Sequence, residues 1–255
     1  MSDEIIIKDL SYSYRGSPAL ANISLEIPSS TITFLMGNNG SGKTTLLKCI
    51  TNVLSDYTGS ISINGRITKT LSPSQMAKLI SYVPQVVNAS HDFLVKDFLV
   101  LGRLPYVNTG SPSKDDYHIV EKYASITGIT PFLEKNYNHL SGGQKQWISI
   151  TRALIQETPI LVMDEPMSAL DLQKQADLLK LLSWLCDSLQ KTIILTSHNP
   201  NHPTYINSLV ILLYEHTIVA GGKATDVFQE ELIQKVYGEN VVIRPDGFID
   251  INITQ

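Results

Sequence analysis

Apolar and polar residues follow two different rhythms along this chain, and the switch between them divides it into thirds. In the first third, EIIIKDLSYSY and ISLEI have the short period of strands, and TITFLM is a β-branched apolar run that stops at Gly37. After a glycine-rich turn, KTTLLKCITNVL places Leu46, Leu47, Ile50, Val53 and Leu54 at helical spacing, which predicts a helix through to Leu54. GSISINGRIT then predicts a hairpin turning at Asn64-Gly65. From about residue 86 to residue 154 the period lengthens. FLVKDFLVLG and DDYHIVEKYASITGI have helical periodicity on either side of the turn-rich RLPYVNTGSPSK, and Gly102 is expected to end the first of them. The last third alternates again: PILVMD as a buried strand, LDLQKQADLLKLLSWLCDSL as a helix and KTIILTSH as a strand. SLVILLYEHTIVAGGK follows as a hairpin, and ATDVFQEELIQKVYG as one closing helix. Strands alternating with helices predict an α/β fold with a parallel sheet.

Composition narrows the function classes. The 255 residues are 43% apolar and 17% charged, enough to bury a core, and no internal repeat or low-complexity tract interrupts them. A net charge of −4 argues against a nucleic-acid-binding surface. The longest apolar run, LVILLY, is far short of the roughly 20 residues that span a bilayer, and the acidic MSDEIIIKDL does not read as a signal peptide. Any membrane role therefore implies a membrane-embedded partner. Cys49 and Cys186, each in an apolar segment, read as reduced core thiols in a cytosolic chain.

Chemistry concentrates in three strings. In FLMGNNGSGKTTLLK, Gly37, Gly42, Lys43 and Thr44 match Gly-x-x-x-x-Gly-Lys-Ser/Thr, with a strand expected before and a helix after. Glycine costs backbone entropy and is used where something must approach the main chain closely. Here the backbone N–H groups would wrap a polyphosphate at a helix N-terminus, Lys43 would reach the β- and γ-phosphates, and Thr44 would ligate Mg²⁺. PILVMDEP ends a buried strand in two acids: Asp164 can hold the Mg²⁺ shell, and Glu165 can orient or deprotonate a water. In LSGGQ, Ser141 can cap a helix whose first N–H groups, freed by Gly142 and Gly143, offer a second anion site.

Together these strings resemble the nucleotide-binding subunit of an ABC transporter. GNNGSGKTT is similar to the Walker A loop, ILVMDE to the Walker B strand and LSGGQ to the family signature. YVPQ resembles the Q-loop through Gln85, SALD the D-loop through Asp171, TSH the switch histidine through His198, and LSYSY the segment whose aromatic residue, Tyr14, stacks on adenine. The resemblance implies a RecA-like P-loop ATPase core, about residues 1–85 and 155–255, with an antiparallel β part and an inserted helical subdomain, about 86–154. It implies ATP and Mg²⁺ as ligands. Nucleotide contacts would come from Tyr14, Gly37, Asn38, Asn39, Gly40, Ser41, Gly42, Lys43, Thr44 and Thr45, metal contacts from Thr44, Gln85 and Asp164, and catalysis from Glu165, His198 and Gln85. Two copies would meet head-to-tail, so that Ser141, Gly142, Gly143 and Gln144 of one face the Walker A loop of the other, with Asp171 in the dimer D-loop.

A single nucleotide-binding unit without a membrane span fits an importer subunit or a stand-alone ABC ATPase better than a fused exporter; an importer subunit would be peripheral on the cytoplasmic face of the membrane. It would be held there by a polytopic permease, which an extracytoplasmic solute-binding protein supplies. VKDFLVLGRLPY and LIQKVYGENVVI resemble the subunits serving iron-siderophore, haem and cobalamin importers, although Leu94 stands where that group has a capping threonine. Met167 and Lys145 replace the usual threonine and arginine without touching a phosphate contact. TSHNPNHP is similar to some molybdate or tungstate members. A soluble ABC ATPase of translation or DNA maintenance usually has two nucleotide domains or a coiled-coil insertion, and a P-loop kinase or GTPase would not explain LSGGQ. The permease is expected to dock near Phe93, Phe98, Arg103 and Tyr106.

Overall fold

The computed structural model describes residues 4–85, 92–107 and 110–252. Strands β1 (Ile5–Tyr14) and β2 (Ser17–Ile27) form an antiparallel hairpin, and β3 (Ile32–Met36) leads into the glycine turn and helix α1 (Lys43–Ile50). β4 (Thr58–Ile63) and β5 (Arg66–Ile67) turn at Asn64 and Gly65, both at positive φ (52° and 74°), the type I′ geometry that the Asn-Gly pair favours. α2 (Pro73–Leu79) precedes β6 (Ile80–Val83). The long-period third contains α3 (Val95–Val100), a 3₁₀ stretch (Leu101–Tyr106), α4 (Lys114–Thr127) and α5 (Gly142–Ile155). β7 (Ile160–Met163), α6 (Leu172–Leu189), β8 (Thr192–Thr196) and the hairpin β9 (Leu209–Tyr214)–β10 (Thr217–Lys223) follow. The chain closes with α7 (Ala224–Val227), α8 (Glu230–Tyr237) and a hairpin of β11 (Val241–Ile243) and β12 (Ile249–Ile251).

A six-stranded sheet runs β10-β9-β3-β8-β7-β6, parallel except for the β10 edge, and a four-stranded antiparallel sheet runs β2-β1-β4-β5. Alternate residues of the larger sheet serve different cores. Phe34, Met36, Leu161, Met163 and Leu195 pack with the helical third and with α6 to α8. Leu35, Ile160, Val162, Ile194 and Leu213 pack with the antiparallel sheet and α1. Burial on both faces explains why these strands read as continuous apolar runs. Their carboxyl ends lie side by side, the edge at which parallel α/β sheets bind ligands.

Four expectations need correction. α1 stops at Ile50: Asn52 takes φ 56°, a left-handed conformation that ends the helix and leaves Val53 exposed. Gly102 breaks nothing, because the helical path continues in 3₁₀ form to Tyr106. A Cβ there would sit 2.6 Å from the Arg152 carbonyl, so the glycine marks a close approach to α5. The closing helix is two helices, since Phe228 and Gln229 leave helical geometry and Phe228 turns into the core. The expected docking surface is corrected at two of its four residues. Phe98 is buried and stacked on Tyr137 (4.3 Å), and Arg103 is buried against Asp116 and Glu157 at 3.0 and 3.1 Å. The Tyr106 hydroxyl donates to the Gln156 carbonyl (2.9 Å), and Phe93 is partly buried against the core. Phe98 and Arg103 are internal struts of the helical third, whereas Phe93 and Tyr106 stay partly exposed. The adjoining residues 86–91, where that segment was expected to begin, lie outside the described residues.

Leu94 caps α3 without a side-chain bond, as its missing hydroxyl requires. Cys49 and Cys186 are buried and unpaired, as expected.

Candidate active site

The turn between β3 and α1 is shaped by what glycine permits. Gly37 has φ 140° and Gly42 φ 106°. A Cβ on the first would lie 2.2 Å from the Leu213 carbonyl oxygen, and on the second 2.4 Å from that of Ala19. The closed loop draws Lys43 inward, where its Nζ donates to the carbonyls of Gly37 and Asn38, both at 2.8 Å. Burial holds this ammonium below the usual lysine range, against the pull of Glu165 and Asp164. The Ser41 hydroxyl is buried and has no hydrogen-bond partner among the described residues, which leaves a donor and an acceptor open at the loop.

Three adjacent strand ends supply the rest. Asp164, just past β7, accepts at one carboxylate oxygen from the hydroxyls of Thr44 (3.1 Å) and Thr196 (2.8 Å). Glu165 has φ 49°, a strained conformation for a non-glycine residue, and its N–H is fixed to the Thr196 hydroxyl at 2.7 Å. Its carboxylate is gripped on both sides, by Gln85 Nε2 at 2.7 Å and by His198 Nε2 at 2.6 Å. Thr196 therefore orients both acids. The string TSH contained it, but nothing in the sequence set it apart from the histidine beside it.

Tyr14 stands 43% exposed at the end of β1, its ring edge-on to Tyr12 at 4.9 Å. It faces a cleft of about 340 Å³ whose walls include Asn39, Gly40, Gly42, Lys43, Thr44, Thr45 and Glu165. The Tyr14 ring, the glycine turn with Lys43 and the Glu165 carboxylate thus open on one space, with Asp164 buried behind Thr44. His216 from the β9–β10 turn and Tyr237 from α8 are additions that the sequence did not flag. The first lines the cleft, and the Tyr237 hydroxyl accepts the Gly37 N–H at 3.1 Å.

The donors suit Mg²⁺ held partly by phosphate. Thr44 and Asp164 offer oxygens close together, whereas no group of three or more His, Cys, Asp or Glu able to hold a metal alone exists among the described residues. Mg²⁺ typically takes one or two protein oxygens and completes its shell with phosphate and water.

The LSGGQ string lies elsewhere. Ser141 caps α5 in a capping box: its hydroxyl accepts the Gln144 N–H at 3.3 Å, and Gln144 Oε1 accepts the Ser141 N–H at 3.0 Å. A Cβ on Gly142 would meet nothing within 4 Å, so packing does not require glycine there. Gly143 serves packing, since a Cβ there would come 2.9 Å from the Ala169 carbonyl oxygen. Asp171 caps α6, accepting from the Lys174 N–H at 2.8 Å. Ser141, Gly143, Gln144 and Asp171 border a different cavity, and none of them lines the cleft of Lys43. Within one chain, then, the phosphate loop, Asp164, Glu165, Gln85 and His198 come together, and the signature does not join them.

Comparison with known proteins gives the family. The family model described as "ABC transporter" matches residues 20–168. The chain belongs to the ABC transporter family. An ABC transporter relative, the petrobactin import ATP-binding protein FpuD of Bacillus anthracis, is 32% identical over 249 residues, 96% of this chain and 90% of that protein. Among solved structures, one described as an inward-facing metal-chelate type ABC transporter superposes with a TM-score of 0.81 at 26% identity, covering 92% of this chain and 89% of its own. A dimeric bacterial ABC transporter cassette superposes with a TM-score of 0.77 at 26% identity, covering 86% and 98%. No helix among the described residues of this ABC protein is long and apolar enough to cross a membrane.

Proposed function

We propose that this chain is the ATP-hydrolysing subunit of an importer for a metal chelate of the iron-siderophore class. The observation that carries the reading is the carboxylate of Glu165, held between Gln85 and His198 at a strand end beside a preformed phosphate loop. Tyr14 stacks on adenine, and the N–H groups from Gly37 to Thr45 with the Lys43 ammonium hold the phosphates. Mg²⁺ bound by Thr44 and Asp164, with Gln85 nearby, would neutralise charge on the terminal phosphates. Glu165 takes a proton from the attacking water, and Gln85 and His198 set the carboxylate's direction. With the γ-phosphate in place, His198 turns from Glu165 to donate to it.

The reading makes each site incomplete in one chain. Ser141, Gly142, Gly143 and Gln144 of a second copy, with its Asp171 loop, close over the nucleotide, so ATP acts as the glue of a head-to-tail homodimer. The residues would divide into a RecA-like core of about 1–85 and 155–255 and a helical subdomain of about 86–154. A polytopic permease holds the dimer at the cytoplasmic face of the membrane and receives solute from an extracytoplasmic binding protein. The chelate class is supported by the likeness to the petrobactin import protein and to the metal-chelate transporter.

The test is co-purification and sizing. A tagged chain expressed with its neighbouring membrane protein should bring that protein down in detergent, and vesicles holding the complex should accumulate a ferric chelate only with ATP. A chain that hydrolyses ATP alone and binds no polytopic protein would count against the importer reading. Failure to accumulate any ferric chelate, with the complex intact, would remove only the solute class.

A further inference from the structure

Behind the catalytic edge lies a buried histidine that the proposed chemistry does not use. His202 is 4% exposed and is bonded at both ring nitrogens. Nδ1 meets the Ser197 hydroxyl at 2.7 Å, and Nε2 meets Gln175 Oε1 at 3.3 Å. Gln175 is itself committed: its Nε2 donates to the carbonyls of Leu170 (3.0 Å) and Met167 (3.3 Å), so its oxygen must face the ring. That oxygen can only accept, which puts the imidazole proton on Nε2 and leaves Nδ1 to accept from Ser197. Burial also favours the neutral ring.

The ends of this bridge matter more than its middle. Ser197 adjoins His198, which grips Glu165. Leu170 and Met167 belong to the loop before α6, and in that loop the Ala169 carbonyl packs so closely on Gly143 that only glycine fits. A continuous set of contacts therefore runs from the switch histidine to the signature turn. We propose that His202 is a positioning residue that couples the two nucleotide sites of the dimer: a shift of His198 on meeting or losing the γ-phosphate moves residues 167–171 through His202 and Gln175. The signature turn that serves the partner's nucleotide moves with them. This rests on the ATPase and dimer reading above.

Steady-state hydrolysis against ATP concentration, with the full chain, tests it. His202→Phe and Gln175→Leu should each lower kcat about tenfold, the cost of breaking one buried hydrogen-bonded link, with half-saturating ATP changed less than about twofold. The double variant should fall little further than either single one, because both break the same link. The Hill coefficient should drop from near two towards one, the value for sites that no longer communicate. His202→Gln, whose amide can donate to Gln175 and accept from Ser197, should restore most of the rate and cooperativity, which a merely structural loss would not allow. Wild-type kcat and Hill coefficient in His202→Phe, or losses that multiply in the double variant, would overturn the proposal. If His202→Phe does not fold, Gln175→Leu alone decides it by the same criteria. ATP-driven dimerisation of Glu165→Gln is measured alongside by light scattering. Absence of a dimer there would sink the composite-site reading itself, whereas a dimer with unchanged Hill coefficient in Gln175→Leu would sink only the coupling.

Discussion

The phosphate-loop edge and the signature turn are both glycine-rich turns that start a helix, yet their bonding is opposite. At the phosphate loop, residues far apart in sequence interlock: Thr44 with Asp164, Asp164 with Thr196, and Glu165 with Gln85 and His198. At the signature, the side-chain bonds of Ser141 and Gln144 are to each other's backbone, and a Cβ on Gly142 would meet nothing within 4 Å. The first end is a finished tool within one chain. The second is a capped helix that borders a separate cavity and does not reach the cleft of Lys43. On the dimer reading proposed above, two identical chains would each be assembled correctly and still act only in pairs.

The strongest way to break the comparison is to disable the finished end. Glu165→Gln keeps the shape of the side chain and removes the base, so hydrolysis should fall by about 10²–10⁴-fold, the usual weight of a general base. The phosphate cradle and Asp164 are untouched, so a fluorescent ATP analogue should bind as tightly as to wild type. Phosphate release at the wild-type rate would take Glu165 out of the mechanism. Next in size is Lys43→Ala, which removes the buried ammonium on the terminal phosphates. Losing one partner of a buried charge contact costs about 2–5 kcal/mol, so affinity for ATP should drop on the order of a hundredfold or more. Equal affinities by calorimetry would show that the loop is not the phosphate site.

The unfinished end should respond differently. Ser141→Ala ought to leave ATP binding to a single chain intact, because Ser141 does not line that cleft. It should cost about 1 kcal/mol in stability from the lost cap, seen in urea unfolding. Hydrolysis should fall with the dimer, by about tenfold for a lost charge-assisted bond to the partner's γ-phosphate. Its neighbours sharpen the contrast: Gly142→Ala should fold normally, whereas Gly143→Ala must push away the Ala169 carbonyl and destabilise the loop. Weaker nucleotide binding to monomeric Ser141→Ala would erase the distinction between the two ends.

How much of this was legible in the sequence follows the same division. The parallel strands were visible because both faces are buried and their residues are continuously apolar. The motif residues were visible because a phosphate turn, a strand-terminal acid pair and a capping box are local patterns. What stayed hidden depended on contacts between distant segments. Gly102 looked like a helix stop because its packing partner, Arg152, lies on another helix. Phe98 and Arg103 looked like a surface because nothing local places Tyr137 against the ring or Asp116 and Glu157 against the guanidinium. α2 has no apolar period to announce it, although Ser72, Pro73 and Gln75 spell a capping box, since its short body buries only Met76. His202 and Tyr237 lie in strings with a family likeness, but nothing local gives either its distant partner.

Tyr237 gives the smallest expected effect and the most pointed test of how far the finished end extends. It sits at the last turn of α8, 200 residues from the loop it touches, and its hydroxyl accepts the N–H of Gly37. Its phenol is pushed up to about 12 by burial, only partly offset by that bond, so it stays neutral across the working range. Gly37 is the residue at which β3 turns into the phosphate loop, and its carbonyl is one of the two that hold Lys43. Tyr237→Phe removes the acceptor without changing the ring's packing and leaves one N–H without its partner. The cost should be about 1 kcal/mol, or a fewfold weaker ATP binding, with kcat at saturating ATP unchanged. The same substitution should not alter dimerisation of the Glu165→Gln chain once the site is saturated, because it acts on the cradle and not on the signature. A fall in kcat with binding intact would mean that α8 reaches the catalytic carboxylate, and the boundary of the finished site would have to be redrawn to include the closing helix.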